Sequence, residues 1–318
     1  MFKPLARLAL VAVAGASALV LAQSAASAHA VCGPRVFPAT LAIDDPGVND
    51  EFALPTLAYI PQNGDGVQET DLSFAYSKTL LPTLAFTLSD GRTWLKGSGA
   101  GWNNLSTGLK YNVFCDASHE FMGSVGFEVS WAKTGTPGFS DPFNTYSPTI
   151  DLGKGFGDLP KTFDALRPIA ITAQIGLDVP GQSHTSTISY DPFGGASLDV
   201  EPNPTVFNWG FTLQYSLPYM NANVHAIDSE FLRRLTPIAE FSFSRPISNY
   251  APGEGITTGT FQPGVIYSAD AWQFALEALV PVNAASGRHV GVIGELHFFL
   301  DDIFPDTLGK PLFGGRRT

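Results

Sequence analysis

Beyond its first thirty residues the chain lacks any long apolar run. Every apolar stretch there is broken within about ten residues by a polar residue, Gly or Pro, whereas a membrane-crossing helix needs about 20 apolar residues. Charge is also scarce. Only 15% of the residues are Asp, Glu, Lys or Arg, and 18 basic residues face 29 acidic ones, a net charge of −11. Nucleic acid, whose phosphates need a basic surface, is thereby excluded as a partner. Cysteine is limited to Cys32 and Cys115. In an oxidising compartment the two could pair, and nothing in the sequence shows whether their Cα atoms come close enough.

Chemistry-bearing motifs are missing too. His119-Glu120 is followed by Phe121-Met122-Gly123, without the second His of a zinc-protease helix. The glycines from Gly153 to Gly157 lack the Gly-Lys-Ser/Thr ending of a phosphate loop and read as a tight, flexible strand end. Ser183 and His184 have nothing beside them to orient a nucleophile. Asp301-Asp302 with His297 reads as a polar strand end at a membrane interface. No catalytic residue, metal or cofactor is expected.

Glycine (32), proline (24) and aromatic residues (12%) are abundant instead. Residues 1–30 read as a cleaved export signal. Lys3 and Arg7 precede an uncharged run from Leu8 to Leu21, and small residues at Ala26-Ser27-Ala28 and Ala28-His29-Ala30 offer two cleavage sites. Cleavage leaves 16 basic and 29 acidic residues, a net charge of −13. That suits a chain that must stay soluble in the periplasm before insertion.

The dominant internal pattern has period 2, the signature of a strand with one apolar face. Phe207, Trp209, Phe211, Leu213, Tyr215 and Leu217 alternate with Asn208, Gly210, Thr212, Gln214 and Ser216. The same alternation marks 121–131, 169–179, 272–280 and 290–301. It is weaker at 71–79, 83–90, 105–114, 235–244 and 260–269, and weakest at 52–60 and 146–153. The runs are about ten residues long, longer than the five or six of soluble strands. Their apolar faces carry Phe, Trp and Tyr toward the ends, as an interfacial girdle requires. Lipid tolerates no open strand edge, so the sheet must close. The expected fold is all-β: an antiparallel transmembrane β-barrel of about 12 strands (10–14) in the bacterial outer membrane.

Within that frame, 31–50 is an irregular periplasmic segment, 51–302 the barrel and 303–318 a C-terminal tail. Asn63-Gly64-Asp65-Gly66, Asp90-Gly91 and Ser286-Gly287 read as turns. The segments 132–145, 180–205 and 218–233 read as long extracellular loops. Since the last strand ends near Leu300, Phe298-Phe299 stands in for the usual terminal aromatic insertion signal. The expected partners are outer-membrane lipids, the barrel-assembly machinery and a small solute.

Lumen-lining candidates follow from the polar parity: Lys110, Glu128, Gln174, Gln214, Glu240, Gln273, Glu277, Glu295 and His297. Two readings of this set stay open. It braces or plugs the lumen, or it favours cations and polar solutes, with Glu240 and Glu277 setting the selectivity. If the last hairpin turns near Ser286, Glu277 faces Glu295; a two-residue slip puts it against His297. Aromatic residues on the lumen parity are few, chiefly Phe299.

Four stretches are more specific than generic barrel sequence: Gly-Lys-Gly-Phe-Gly-Asp-Leu-Pro at 153–160, Leu-Gln-Tyr-Ser-Leu-Pro-Tyr at 213–219, Thr-Thr-Gly-Thr-Phe-Gln-Pro-Gly-Val-Ile-Tyr at 257–267 and Leu-His-Phe-Phe-Leu-Asp-Asp-Ile-Phe-Pro at 296–305. Over roughly 44–315 the chain resembles the proteobacterial outer-membrane barrels grouped as the transporter-like family of the MetA pathway of phenol degradation. The resemblance implies a barrel and passage of small molecules, and carries over no catalytic residue. The readings it leaves are a solute-passing porin or transporter, a closed structural or sensory barrel and, from a different class, a lipid-acting enzyme.

Overall fold

The computed structural model describes residues 30–190 and 195–314. The export-signal reading therefore lies almost wholly outside the described residues. Twelve antiparallel strands form the wall: β1 (Glu51–Ile60), β2 (Glu69–Leu81), β3 (Leu84–Leu95), β4 (Ser106–Asp116), β5 (Phe121–Ser130), β6 (Thr145–Gly155), β7 (Ile169–Pro180), β8 (Thr205–Tyr215), β9 (Leu235–Ser248), β10 (Thr258–Ser268), β11 (Trp272–Pro281) and β12 (Gly291–Phe299). Each pairs with the next, and β12 pairs with β1 from Phe299↔Glu51 to Val292↔Tyr59, so the twelve strands close into a barrel. All twelve coincide with the alternating runs in the sequence.

The period-2 pattern resolves into an outer and an inner wall. Leu109, Phe127, Ile150, Ile175, Phe211 and Leu213 point outward and are exposed, and the rings of Phe211, Phe241 and Phe261 stack across three strands at 4.7 and 4.8 Å. An exposed apolar wall of this height is stable only against lipid. Inward positions carry Thr172, Thr212, Gln214 and Glu240, all buried.

Asp90-Gly91 is not a turn. It lies inside β3, paired with Phe74 and Ser73 of β2. There β3 exchanges one neighbour for another: up to Ser89 it pairs with β4, and from Arg92 it pairs with a short strand, Gly99–Trp102. Strand polarity corrects a second expectation. The segments 131–144 and 181–204 share one end of the barrel, but 216–234 lies at the other end, where β1 begins and β12 ends. That end carries the shortest connections, 82–83, 117–120 and 269–271, while the other carries the longest, 181–204, and we take it as the periplasmic end. There 216–234 forms α1 (Leu217–Asn223) and a short 3-10 turn. At the extracellular end 181–204 rises as a two-stranded ribbon, His184–Tyr190 paired with Ala196–Pro202.

The tail beyond β12 begins as one helical turn, α2 (Leu300–Ile303), and folds back on β2. Leu312 N–H donates to Thr79 O at 3.1 Å and Phe313 N–H to Leu80 O at 2.8 Å.

Candidate functional site

The polar parity of the strands converges on the lumen, and its periplasmic half is occupied by the chain itself. Residues 30–50 do not trail at the rim as an irregular periplasmic segment. They start as a hairpin, Ala30–Cys32 with Arg35–Phe37, and continue as an irregular loop inside the barrel. Ala30, Cys32 and Phe37 pack with Met122 of β5 and Ala170 of β7. Higher in the barrel, Leu41 packs on Ile238, Ile266 and Ala275. Complete burial of the Phe37 ring alone is worth about 1.5–3 kcal/mol.

Polar bonds join this plug to the wall at successive heights. Arg35, fully buried, pairs with Glu120 at 2.9 Å and also donates to the carbonyls of Arg167 (2.6 Å) and Pro168 (3.2 Å). Tyr219 of α1 donates to the other Glu120 oxygen at 2.8 Å, and its ring lies 3.7 Å beneath the guanidinium carbon. Desolvation lowers the Arg35 pKa, and Glu120 opposes that shift. Nearer mid-height, Lys110 donates to Asp44 at 2.8 Å and to the Asp45 carbonyl. Glu240 accepts the Ala42 N–H at 2.6 Å, and Gln273 donates to the Ala39 carbonyl at 2.6 Å. Asp50 closes the loop by accepting from Lys78 at 2.6 Å, and Lys78 also holds the tail through the carbonyls of Leu308 and Lys310. One covalent tie is present: Cys32 and Cys115 form a disulfide with Cα atoms 5.7 Å apart. Burial pushes the Asp45 carboxyl up to about 8, with Lys110 opposing it. Burial likewise raises Asp301, in the rim helix, to about 8.

Each lumen candidate points inward, but with different partners. Lys110, Glu240 and Gln273 hold the plug. Gln174 donates to Asp151 at 2.7 Å. Glu295 accepts from Thr56 at 2.7 Å and contacts His297 at 3.1 Å, and His297 reaches Glu51 at 3.3 Å. His297 thus engages the wall, and no described bond joins it to Asp301 or Asp302. Glu128 stands higher, in the extracellular half. Among the described residues, Gln214 is buried with no partner for its Nε2, and both Glu277 oxygens are buried without one. Neither register foreseen for Glu277 is present. It faces Ile293, while Glu295 faces Ala275 and His297 faces Gln273. The hairpin centre falls at 285, and a one-residue shift of centre moves the pairing by two. Glu240 and Glu277 also cannot line an open path while the plug is seated, being 0% and 2% exposed.

Sequence reasoning missed Arg35, Glu120, Tyr219, Asp44 and Asp50. The available signal was the spacing of Gly153, Gly155 and Gly157. A Cβ at Gly153 would meet Pro46 and Phe37, and one at Gly155 would meet Arg35 and Glu120. A Cβ at Gly157 would meet Glu120 and the Tyr219 hydroxyl. These glycines are not a flexible strand end. They make room for the plug.

Above the plug the lumen is open. A cavity of about 260 Å³ has Ala42 and Ile43 as its floor and Thr149, Gln174, Asp178, Asn208 and Ser242 among its walls. It shares Asp178 with a cavity of about 470 Å³ at the mouth, bordered by Asp141, Glu201 and Asn203. Asp178 is held by Ser147 at 2.6 Å and Asn208 at 2.7 Å. Among the described residues, the charged ones at inward strand positions of this half are Glu69, Asp71, Glu128 and Asp178, and all four are acidic.

No protein-family model matches the chain, and no curated protein matches it. Solved structures do. An outer-membrane channel from Pseudomonas putida F1 superposes with a TM-score of 0.53 at 10% identity, over 83% of this chain and 99% of that one. The NanC porin gives 0.45 at 10% identity, over 78% and 98%. LpxR from Salmonella typhimurium gives 0.43 at 11% identity, over 78% and 99%. The first likeness bears out the fold: the chain is a closed, twelve-stranded barrel of the bacterial outer-membrane type.

Proposed function

We propose that the chain passes or takes up a small, polar or cationic solute across the outer membrane, and that residues 30–50 gate the passage. The observation that carries this reading is the lumen's division. An acidic vestibule opens at the extracellular mouth and ends on a plug whose apex, Ala42 to Asp44, is held by hydrogen bonds and one ion pair. A solute entering this vestibule meets carboxylates, amides and hydroxyls, a lining that attracts cations and repels anions. The likeness in fold to the Pseudomonas putida outer-membrane channel supports this reading. The four sequence stretches support the finer placement in the MetA-pathway transporter-like family. Three of them, 153–160, 213–219 and 296–305, lie at the periplasmic end, and the first two contribute directly to the plug's latch.

The seated plug also supports a second reading, a closed structural or sensory barrel. Planar-bilayer conductance separates the two. We expect discrete openings, rare in the full chain and frequent in a variant lacking 31–50. The absence of openings in both would favour the closed barrel, or the lipid-acting enzyme if phospholipid or lipopolysaccharide is consumed.

A further inference from the structure

The outer wall carries a charge where lipid should tolerate none. Its strand positions are apolar almost throughout, yet β3 places Arg92 outward, opposite Leu72 of β2 and Trp102 of the short neighbouring strand. The guanidinium carbon lies 5.2 Å from the ring centre of Trp94 and 5.8 Å from that of Trp102. Its Nε is buried and has no hydrogen-bond partner among the described residues. Asp90 is the nearest carboxylate on the same face of the strand, and its Oδ1 accepts instead from Gly91 N–H at 2.6 Å. The other outward cations differ. Lys78 and Lys154 are spent on carbonyls and carboxylates at the periplasmic rim, and Arg245 is exposed near the top of β9.

Arg92 is three residues below the end of β3. At the rise and tilt of barrel strands that is roughly 8 Å below the rim, where headgroups meet acyl chains. A carboxyl group in such a place can take up a proton and become neutral. A guanidinium cannot shed its charge, so it needs an anion. Two indole faces flank its plane, no described hydrogen bond or ion pair engages its terminal nitrogens, and the half-buried guanidinium end is left for an acceptor that arrives from outside the chain.

We propose that Arg92, flanked by Trp94 and Trp102, binds the phosphate of an outer-leaflet lipid. The chemistry is that of a phosphate ester against an aromatic-clamped guanidinium. The position, on the lipid-facing wall below the rim, favours phosphate carried on a lipid over free phosphate. The proposal rests on the transmembrane fold and is independent of whether the lumen conducts.

The test is lipid retention by the full chain in detergent, read by native mass spectrometry. The probes are lipopolysaccharide, phosphatidylglycerol, diacylglycerol (the same tails without phosphate) and inorganic phosphate. Heat-modifiable migration verifies folding of each variant. Arg92→Gln is expected to lower retention of both phosphate-bearing lipids about tenfold or more, and Arg245→Gln to leave it unchanged. Asp90→Asn is expected to keep or tighten binding, since it removes a competing carboxylate. Arg92→Lys keeps the charge but loses the planar fork, and is expected to lower retention several-fold. Undiminished retention in both Arg92 variants would overturn the proposal. So would equal retention of diacylglycerol, or inorganic phosphate competing as well as the lipids do. Weakening by Asp90→Asn as large as that by Arg92→Gln would identify Asp90 as the counter-ion and overturn it as well.

Discussion

The two halves of the lumen are built on opposite principles. In the periplasmic half nearly every inward polar group meets the plug or a neighbour that meets it: Arg35 with Glu120, Lys110 with Asp44, Gln273 with Ala39. In the extracellular half Asp178, Asn208 and Ser244 bond only to one another and to the wall, around a cavity of about 260 Å³. One half is thus a core that happens to be polar. The other is a vestibule. The same period-2 strands make both, and what separates them is a twenty-residue segment with no period at all.

The largest effect that sharpens this contrast lies at the latch. Arg35→Ala leaves Glu120 buried with only Tyr219 and the Gly157 N–H, and is expected to cost about 3–5 kcal/mol. Denaturant unfolding in detergent reads it. A cost below 1 kcal/mol would mean the periplasmic half is no more a core than the vestibule. Next, removal of the disulfide by Cys32→Ser with Cys115→Ser opens a link spanning 83 residues, and is expected to cost about 2–4 kcal/mol. The loss should appear as a lower melting midpoint and as easier proteolysis of residues 31–50.

Smaller effects are expected above the plug. Asp178→Asn with Glu128→Gln, in the variant lacking 31–50, is expected to shift the reversal potential toward zero in a salt gradient while changing stability by less than about 1 kcal/mol. An unchanged potential would remove the cation preference. The smallest effect is a pH dependence of plug seating. Asp45 holds its proton up to about 8 when buried, against 3.8 when free. The seated state therefore binds the proton more tightly than the released one, so seating weakens as pH rises from about 4 to about 8 and levels off above. Asp45→Asn is expected to flatten that slope in open probability. An identical slope in the variant would assign it to other groups.

How much of this was legible in the sequence follows the same division. The wall was readable because period 2 is a local property, visible in residues 207–217 without knowledge of anything distant. The plug was not, because its bonds are long-range. Lys110 lies 66 residues from Asp44, and Glu240 lies 198 from Ala42. Asp90-Gly91 read as a turn because its residue types are those of turns. What it marks is the point where β3 changes neighbours, a property of the partner strands. The register of the last hairpin was lost for want of a single residue in the loop centre. The polar parity picks out Lys110, Glu240 and Gln273, which bond to the plug, but parity alone does not tell a lumen wall from the socket of a plug.

The most direct test of the divided lumen is single-channel recording from the full chain and from the variant lacking 31–50, under identical voltage and salt. The account predicts a largely silent full-length barrel and a truncated one with discrete, cation-preferring openings. Equal conductance from the two would contradict it, because the periplasmic half would then not be the barrier.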